Sequence, residues 1–312
     1  MTHRLKNAYW NVCKGEYEAA LEPFIPTGPF GDRLLLCCRH RAIIGRWPRL
    51  RNPETISEWL LATMLSEEGR SELRRRVTDK ELLKVYLEEK LGPGYSAKTI
   101  GVLHSKREAE KFEFPRECVI KATHDSGSAI IRRDGEPLDV GAIQGWFDRD
   151  YYAEHRERNY KDLVPKVLVE ELLSDADDTK GELTDYKLYC FEGWPSFALV
   201  IWGRRTSAQS VFLSRNGKRL AINHKYPSPA HEVEKPKRFD EMFEIARVLS
   251  EDFSFVRVDM YQVQGRLVVG ELTNWPSNGI IRFEPEETME LLGRLWKEPH
   301  LDVERLIGCR DP

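Results

Sequence analysis

The sequence predicts an α+β protein, with a mainly helical N-terminal region over residues 1–92 followed by two α/β lobes over 93–166 and 167–312. Three observations predict it. Apolar residues of the first ninety recur at helical spacing, as in Trp59, Leu60, Leu61, Met64 and Leu65. From residue 99 onward, short β-rich runs are separated by turn residues. The 312 residues also exceed what one core organises, since single cores stop growing at roughly 250–300 residues.

Taken in order, Thr78 stands before DKELLKVYLEEKLG as an expected N-cap, and Gly92, Pro93 and Gly94 end that helix. IGVLHS, ECVIKATH and GSAIIRRD read as strands of the first lobe, and GAIQGWFDRDYYAEHRERNY as its helical return. Pro165 opens the second lobe, with strands in KVLVEELL, DYKLYCFEG, PSFALVIWGRR and SVFLSRNGKRLAI and hairpin turns at Gly193 and Asn216-Gly217. Such short links imply antiparallel pairing. The helix FDEMFEIARVLSEDF then leads into SFVRVDMYQVQ and RLVVGELTNW, which fold about Gln264-Gly265. No internal repeat or low-complexity tract interrupts the chain.

Composition narrows the function. A hydrophobic fraction of 41% with 32% charged residues is that of a globular protein. The formal charge of −3 gives no electrostatic reason to seek a nucleic acid. Six cysteines (Cys13, Cys37, Cys38, Cys118, Cys190, Cys309) form no CxxC pair and read as free thiols of a reducing compartment, so a cytoplasmic location is expected. No apolar run approaches the ~20 residues of a transmembrane helix. The stretch RLLLCCRHRAIIGRWPRLR mixes basic and apolar residues, and two readings stand for it, a packed basic helix and a peripheral membrane contact.

Chemistry gathers in FVRVDMYQVQGRLVVGELTNWPSNG. Folding its two strands about the Gly turn brings Asp259 and Glu271 together at one end of the ribbon, with Arg257 on the same face as Asp259. Two carboxylates among valines repel one another unless a cation lies between them, and magnesium suits oxygen ligands of this kind. A salt bridge from Arg257 to one acid is an equal reading at this stage. Lys121 ends a strand before the polar loop Ser126-Gly127-Ser128, a combination that can hold phosphate by charge and backbone N–H groups. KVLVEELLSDADD runs from an apolar strand through Glu170, Glu171 and Leu173 into a polar loop, a segment able to wall a purine or simply to leave a sheet. No P-loop or strand-linked GxGxxG is present, and His104, His124, His224 and His231 have no nucleophile at motif spacing.

The order Thr78-Asp79-Lys80, VIKATHDSGS, VLVEELL, DYKLYCFEG, FVRVDMY and VVGELTNWP resembles the ATP-grasp superfamily, and most closely its TupA-like (teichuronopeptide-biosynthesis) branch, over residues 48–285. The resemblance implies an ATP-grasp fold whose two lobes clasp ATP. It places Lys80 and Lys121 on the phosphates under the Ser126, Gly127 and Ser128 loop, and Glu170, Glu171 and Leu173 at the adenine hinge, with Asp177 or Asp178 at the ribose. Asp259 and Glu271 become magnesium ligands, and Arg257 the arginine that faces a developing oxyanion. Thr273 departs from the Glu-x-Asn pattern common in the superfamily, which leaves a coordination place to Thr273 itself, Asn274, water or nucleotide. Lys187, Arg204 and Arg205 resemble cations near the transferred phosphate.

The implied activity is an ATP-dependent carboxylate–amine ligase working through an acyl phosphate in cell-surface glycan synthesis. The alternative is a kinase acting on a sugar hydroxyl with Asp125 or His124 as base; a nucleotide-binding protein without activity is a third reading. Expected partners are a small-molecule or glycan acceptor bearing a carboxylate, amine or hydroxyl and, as a possibility, a second copy of the chain. Arg39, His40, Arg41, Arg46 and Arg49 are read either as an aid to holding an anionic acceptor or as a solvated basic face.

Overall fold

The computed structural model describes residues 22–174, 183–204, 207–230 and 233–310. Helix α1 (Pro29–Ile44) starts with proline in its first turn and stops at Gly45 in the left-handed region. Helix α2 (Ile56–Leu65) begins with a capping box: the Thr55 hydroxyl accepts from the Glu58 N–H, and the Glu58 carboxylate accepts from the Thr55 N–H. Helices α3 (Glu72–Thr78) and α4 (Lys80–Leu91) meet at a tight corner. The cap of α4 is Asp79, whose carboxylate accepts from the Glu81 and Leu82 N–H groups; the expected cap Thr78 is the last residue of α3 and donates instead to the Arg74 carbonyl at 2.6 Å. Gly92 closes α4 as expected.

The first sheet has strands β1 (Thr99–Leu103), β2 (Cys118–Ala122), β3 (Ala129–Arg132) and β4 (Val167–Glu170) in the order β1-β4-β2-β3, every pair antiparallel. Helices α5 (Lys106–Lys111) and α6 (Val140–Trp146) cover its apolar face around Leu103, Cys118, Ile120, Ile143 and Val169. The assignment of residue 167 onward to the second lobe is corrected here. All four residues of β4 are buried between β1 and β2, where their ladder hydrogen bonds are satisfied, so the lobes divide after Glu170.

The second sheet orders β5 (Asp185–Phe191), β6 (Trp194–Trp202), β7 (Gln209–Ser214), β8 (Phe255–Val263) and β9 (Arg266–Thr273) as β7-β6-β5-β8-β9, again antiparallel. The turns Glu192-Gly193 and Gln264-Gly265 have two consecutive positive φ angles, the geometry that matches strand twist in two-residue hairpins. Helix α7 (Phe239–Ser250) packs its apolar stripe on the face carrying Leu188, Val256, Val258 and Leu272. At one end of the other face Tyr189, Phe191, Phe197 and Phe255 form a second core with α2.

The helical N-terminal region is shared between these bodies. Leu60, Leu61 and Met64 of α2 and Leu83, Tyr86 and Leu87 of α4 enter the two cores of the large sheet. Helix α1 is clasped to the first lobe: buried Asp32 accepts from Tyr152 Oη at 3.0 Å and Arg158 Nε at 3.1 Å, and Arg156 donates to the Ile25 and Pro26 carbonyls. Among the described residues no helix is long and apolar enough to cross a membrane.

Candidate active site

Alternation along the first sheet aims one wall of the site. With Cys118 and Ile120 buried toward the helices, Val119 and Lys121 face the opposite way, and register puts Glu170 across from Val119 and Leu168 across from Lys121. Lys121 Nζ reaches Glu170 Oε2 at 2.6 Å. Lys84 Nζ, one turn after Lys80 on α4, reaches Oε1 at 2.6 Å. Burial alone would raise the Glu170 pKa, but the two ammonium groups outweigh it and hold the carboxyl below its usual range. Glu171 accepts from the Lys98 N–H at 2.9 Å and from Arg266 at 2.8 Å, tying the exit of β4 to the tip of the β8–β9 hairpin.

Beyond β2 the chain turns through residues 123–128. Ser126 and Gly127 form its exposed tip, with Gly127 at φ +102°, while Ser128 is buried. Asp125 ties the loop from within: it accepts from the Ser128 hydroxyl and N–H, and Arg149 bridges Asp125 at 3.0 Å and Ser128 at 2.6 Å. Lys80 Nζ donates to the Ala122 carbonyl at 2.8 Å and to the Asp125 carbonyl, so the start of α4 holds the root of the loop. Burial lowers the Lys80 pKa, opposed by the charge of Glu271.

The opposite wall comes from the second sheet, where Lys187 and Arg257 flank Asp259 and Glu271 faces it in register. Gly270 is an extra residue in β9, because Asp259 pairs with Glu271 whereas Met260 pairs with Val269. The bulge lets Glu271 face the site although Val269 and Leu272 both face the core. Arg257 grips Asp259 with two bonds, Nε to Oδ1 at 2.6 Å and Nη2 to Oδ2 at 2.7 Å, and Lys187 Nζ adds a third contact to Oδ2. Burial pushes the Asp259 pKa up, but Arg257 and Lys187 bring it below its ordinary value. Thr273 Oγ1 accepts from Arg257 Nη2 at 3.0 Å. Glu271 has no hydrogen-bond or ion-pair partner among the described residues. Beside it, burial and then the Glu271 charge push Glu157 up to about 8.

Between the walls lies a cleft of about 390 Å³ with Val119, Lys121, Ile131 and Glu170 on one side and Asp185 and Tyr261 on the other. Leu172 and Leu173 line it as well. Narrower clefts continue past Lys80 to Glu271 and Thr273. The structure therefore gathers Lys80, Lys121, Glu170, Leu173, Lys187, Arg257, Asp259, Glu271 and Thr273 around one valley, with Ser126 and Gly127 at the loop tip. Glu171 lies at its rim as a tether. Asn274 is corrected as an available ligand: it is buried, accepts from Arg74 at 2.7 Å and donates to Thr78 at 3.0 Å. Asp177, Asp178, Arg205 and His231 lie outside the described residues, and Arg204 pairs with Asp185 at 2.7 Å. Sequence reasoning missed Lys84, Arg149, Glu157 and Tyr261. Of these only Lys84 carried a signal, its i+4 spacing from Lys80.

The donor set fits a magnesium ion. Glu271 is an uncommitted carboxylate, and Asp259 Oδ1, which accepts a single bond, keeps a lone pair, whereas Oδ2 accepts from both Arg257 and Lys187. Among the described residues no three His, Cys, Asp or Glu side chains gather as a metal site, so the other ligands would be phosphate oxygens and water.

The profile of the TupA-like ATP-grasp family matches residues 59–297. No curated protein matches the chain. Among solved structures, D-alanine–D-alanine ligase from Helicobacter pylori is 14% identical, with TM-score 0.40 and coverage of 78% of this chain and 68% of that one. The ATP-grasp ligase PsnB, complexed with a phosphomimetic variant of its minimal precursor, Mg and ADP, is 12% identical, with TM-score 0.39 and coverages of 76% and 66%. Phosphoribosylamine–glycine ligase from Thermotoga maritima is 14% identical, with TM-score 0.42 and coverages of 76% and 60%. This chain thus spans at most about two thirds of the length of these structures. With a family profile covering 59–297 and two antiparallel sheets enclosing a lysine- and carboxylate-lined cleft, the chain belongs to the TupA-like ATP-grasp family.

Proposed function

We propose that the protein is an ATP-dependent carboxylate–amine ligase whose acceptor is an amino-acid- or uronic-acid-bearing glycan precursor. One observation carries the reading: the uncommitted Glu271 carboxylate faces Asp259 on one wall while Lys80 and Lys121 stand on the other. The apolar part of the 390 Å³ cleft suits a purine, and the lysines lie where its phosphates would lead. Magnesium, held by Glu271 and Asp259, would supply charge neutralisation for phosphoryl transfer. A substrate carboxylate oxygen attacks the γ-phosphorus, the bond to the β-phosphate oxygen breaks, and ADP departs. The amine then attacks the acyl carbon, the phosphate leaves with the bonding pair, and the amine loses a proton. Arg257, fixed by two bonds to Asp259, keeps its guanidinium charged at the site to stabilise the oxyanion.

The two side chains read as bases for a kinase are both buried. Asp125 is fully buried and binds Ser128 and Arg149, and His124 donates from Nε2 to the Trp146 carbonyl at 2.9 Å, which leaves Nδ1 as its basic nitrogen, unpartnered but buried away from the solvent. The test is to incubate the protein with Mg-ATP and candidate uronic acids or amino acids in hydroxylamine and identify products by mass. Hydroxamate formation with stoichiometric ADP is expected; a phosphorylated product stable to hydroxylamine would overturn the ligase reading.

A further inference from the structure

Helix α1 is half unused by the fold. Its inner side is clasped through Asp32, Leu35, Leu36 and His40, all buried. Positions 30, 33, 34, 37, 38 and 41 form the opposite stripe by helical spacing, and they carry Phe30, Arg33, Leu34, Cys37, Cys38 and Arg41. Phe30 is 76% exposed and Leu34 40%, while Trp47, beyond the helix and lining one cavity with Arg33 and Cys37, is 58% exposed. Single exposed apolar residues are ordinary, but Phe30 and Leu34 share one stripe of the helix and Trp47 at its exit lies against that stripe.

The charges beside it are mainly basic. Arg33, Trp47, Arg49 and Arg51 line a surface cavity of about 520 Å³ whose one acid, Glu54, is paired with Arg49 at 2.5 Å. Arg33, Arg41 and Arg51 have no acidic partner among the described residues. These three guanidinium groups, interleaved with Phe30, Leu34 and Trp47, combine the two attractions of an interfacial helix, apolar insertion and attraction to anionic headgroups. A protein partner would call for acids spaced to meet each of them, whereas a phosphate-rich interface satisfies Arg33, Arg41 and Arg51 together.

We propose that this face, Phe30 to Arg51, docks the protein on an anionic membrane surface, its aromatic side chains at headgroup depth and its arginines on lipid phosphates. The inference stands apart from the catalytic reading, since none of these residues reaches the cleft.

The full chain is sedimented with vesicles of phosphatidylcholine alone and with vesicles containing one third phosphatidylglycerol. Binding to the anionic vesicles only, weakened by salt, is expected. Each arginine near such a surface is worth about fivefold in partitioning, so Arg33→Gln with Arg51→Gln should weaken binding by roughly 20-fold. Phe30→Ser with Trp47→Ser should also release the protein, and these exposed positions leave thermal unfolding of the parent unchanged. Equal binding to neutral vesicles, no sedimentation, or retention by the arginine variant would each overturn the proposal. Saturable binding of soluble glycerol phosphate without vesicle binding would overturn it too, in favour of a soluble anionic ligand.

Discussion

At Asp259 both carboxylate oxygens accept from buried cations, whereas Glu271, its register partner, accepts from none of the described residues. Removing the first strands Arg257 and Lys187 side by side in the interior; removing the second relieves repulsion with Glu157. Asp259→Ala is accordingly expected to lower unfolding free energy by about 3–5 kcal/mol, as loss of one partner from a buried pair does. Glu271→Gln should leave it within about 0.5 kcal/mol or raise it slightly. In the same variant, magnesium-dependent nucleotide turnover should fall by more than the roughly 10–100-fold that outer partners of a metal site cost. Urea titrations and ADP release measure the two quantities separately. If Glu271→Gln unfolds as readily as Asp259→Ala, the carboxylate is structural and the site assignment fails.

Element termini carry the next layer of consequence. Glu58 closes the capping box of α2 and also binds Arg46 and Arg49; burial alone would raise its carboxyl, but the N–H groups of Glu54, Thr55 and Arg49, with Arg46, bring it from 4.5 to about 2. A folded-state pKa below the unfolded value gives stability that is present above pH 4.5 and lost as pH falls toward 2. The contribution is of order 3 kcal/mol. Urea midpoints measured from pH 6 down to 2.5 should therefore fall less steeply in Glu58→Gln than in the parent, from a lower start. The spacing of Trp59, Leu60, Leu61 and Met64 was enough to read α2 from sequence, because a helix repeats its apolar stripe locally. The placement of β4 was not legible. KVLVE reads as a strand in either lobe, and only the vacancy between β1 and β2, a non-local matter, selects its neighbours.

Across the whole molecule, the first ninety residues join the lobes. They feed α2 and α4 into the large-sheet cores and fasten α1 to the short helical segment around residues 152–158. Asp32→Ala, which leaves Arg158 and Arg156 short of their shared acid in a buried setting, should cost about 3 kcal/mol in a urea titration, and proteolysis should then cut first near α1. An unchanged midpoint would mean that the clasp carries no weight. The valley residues were legible because alternation and a hairpin fix Arg257, Asp259 and Glu271 on one side, although sequence spacing alone is silent on the bulge at Gly270. Arg149 and Glu157 stayed hidden, since irregular segments have no period from which a direction can be read.

The cations of the valley are not bare. Lys84 and Lys121 already hold Glu170, and Arg257 and Lys187 already hold Asp259, so an arriving polyanion trades places with resident acids. Its gain is the small difference between two sets of contacts in the same low-dielectric setting. On the proposed reading, choice among polyphosphates then rests on the shape of the cleft more than on gross charge.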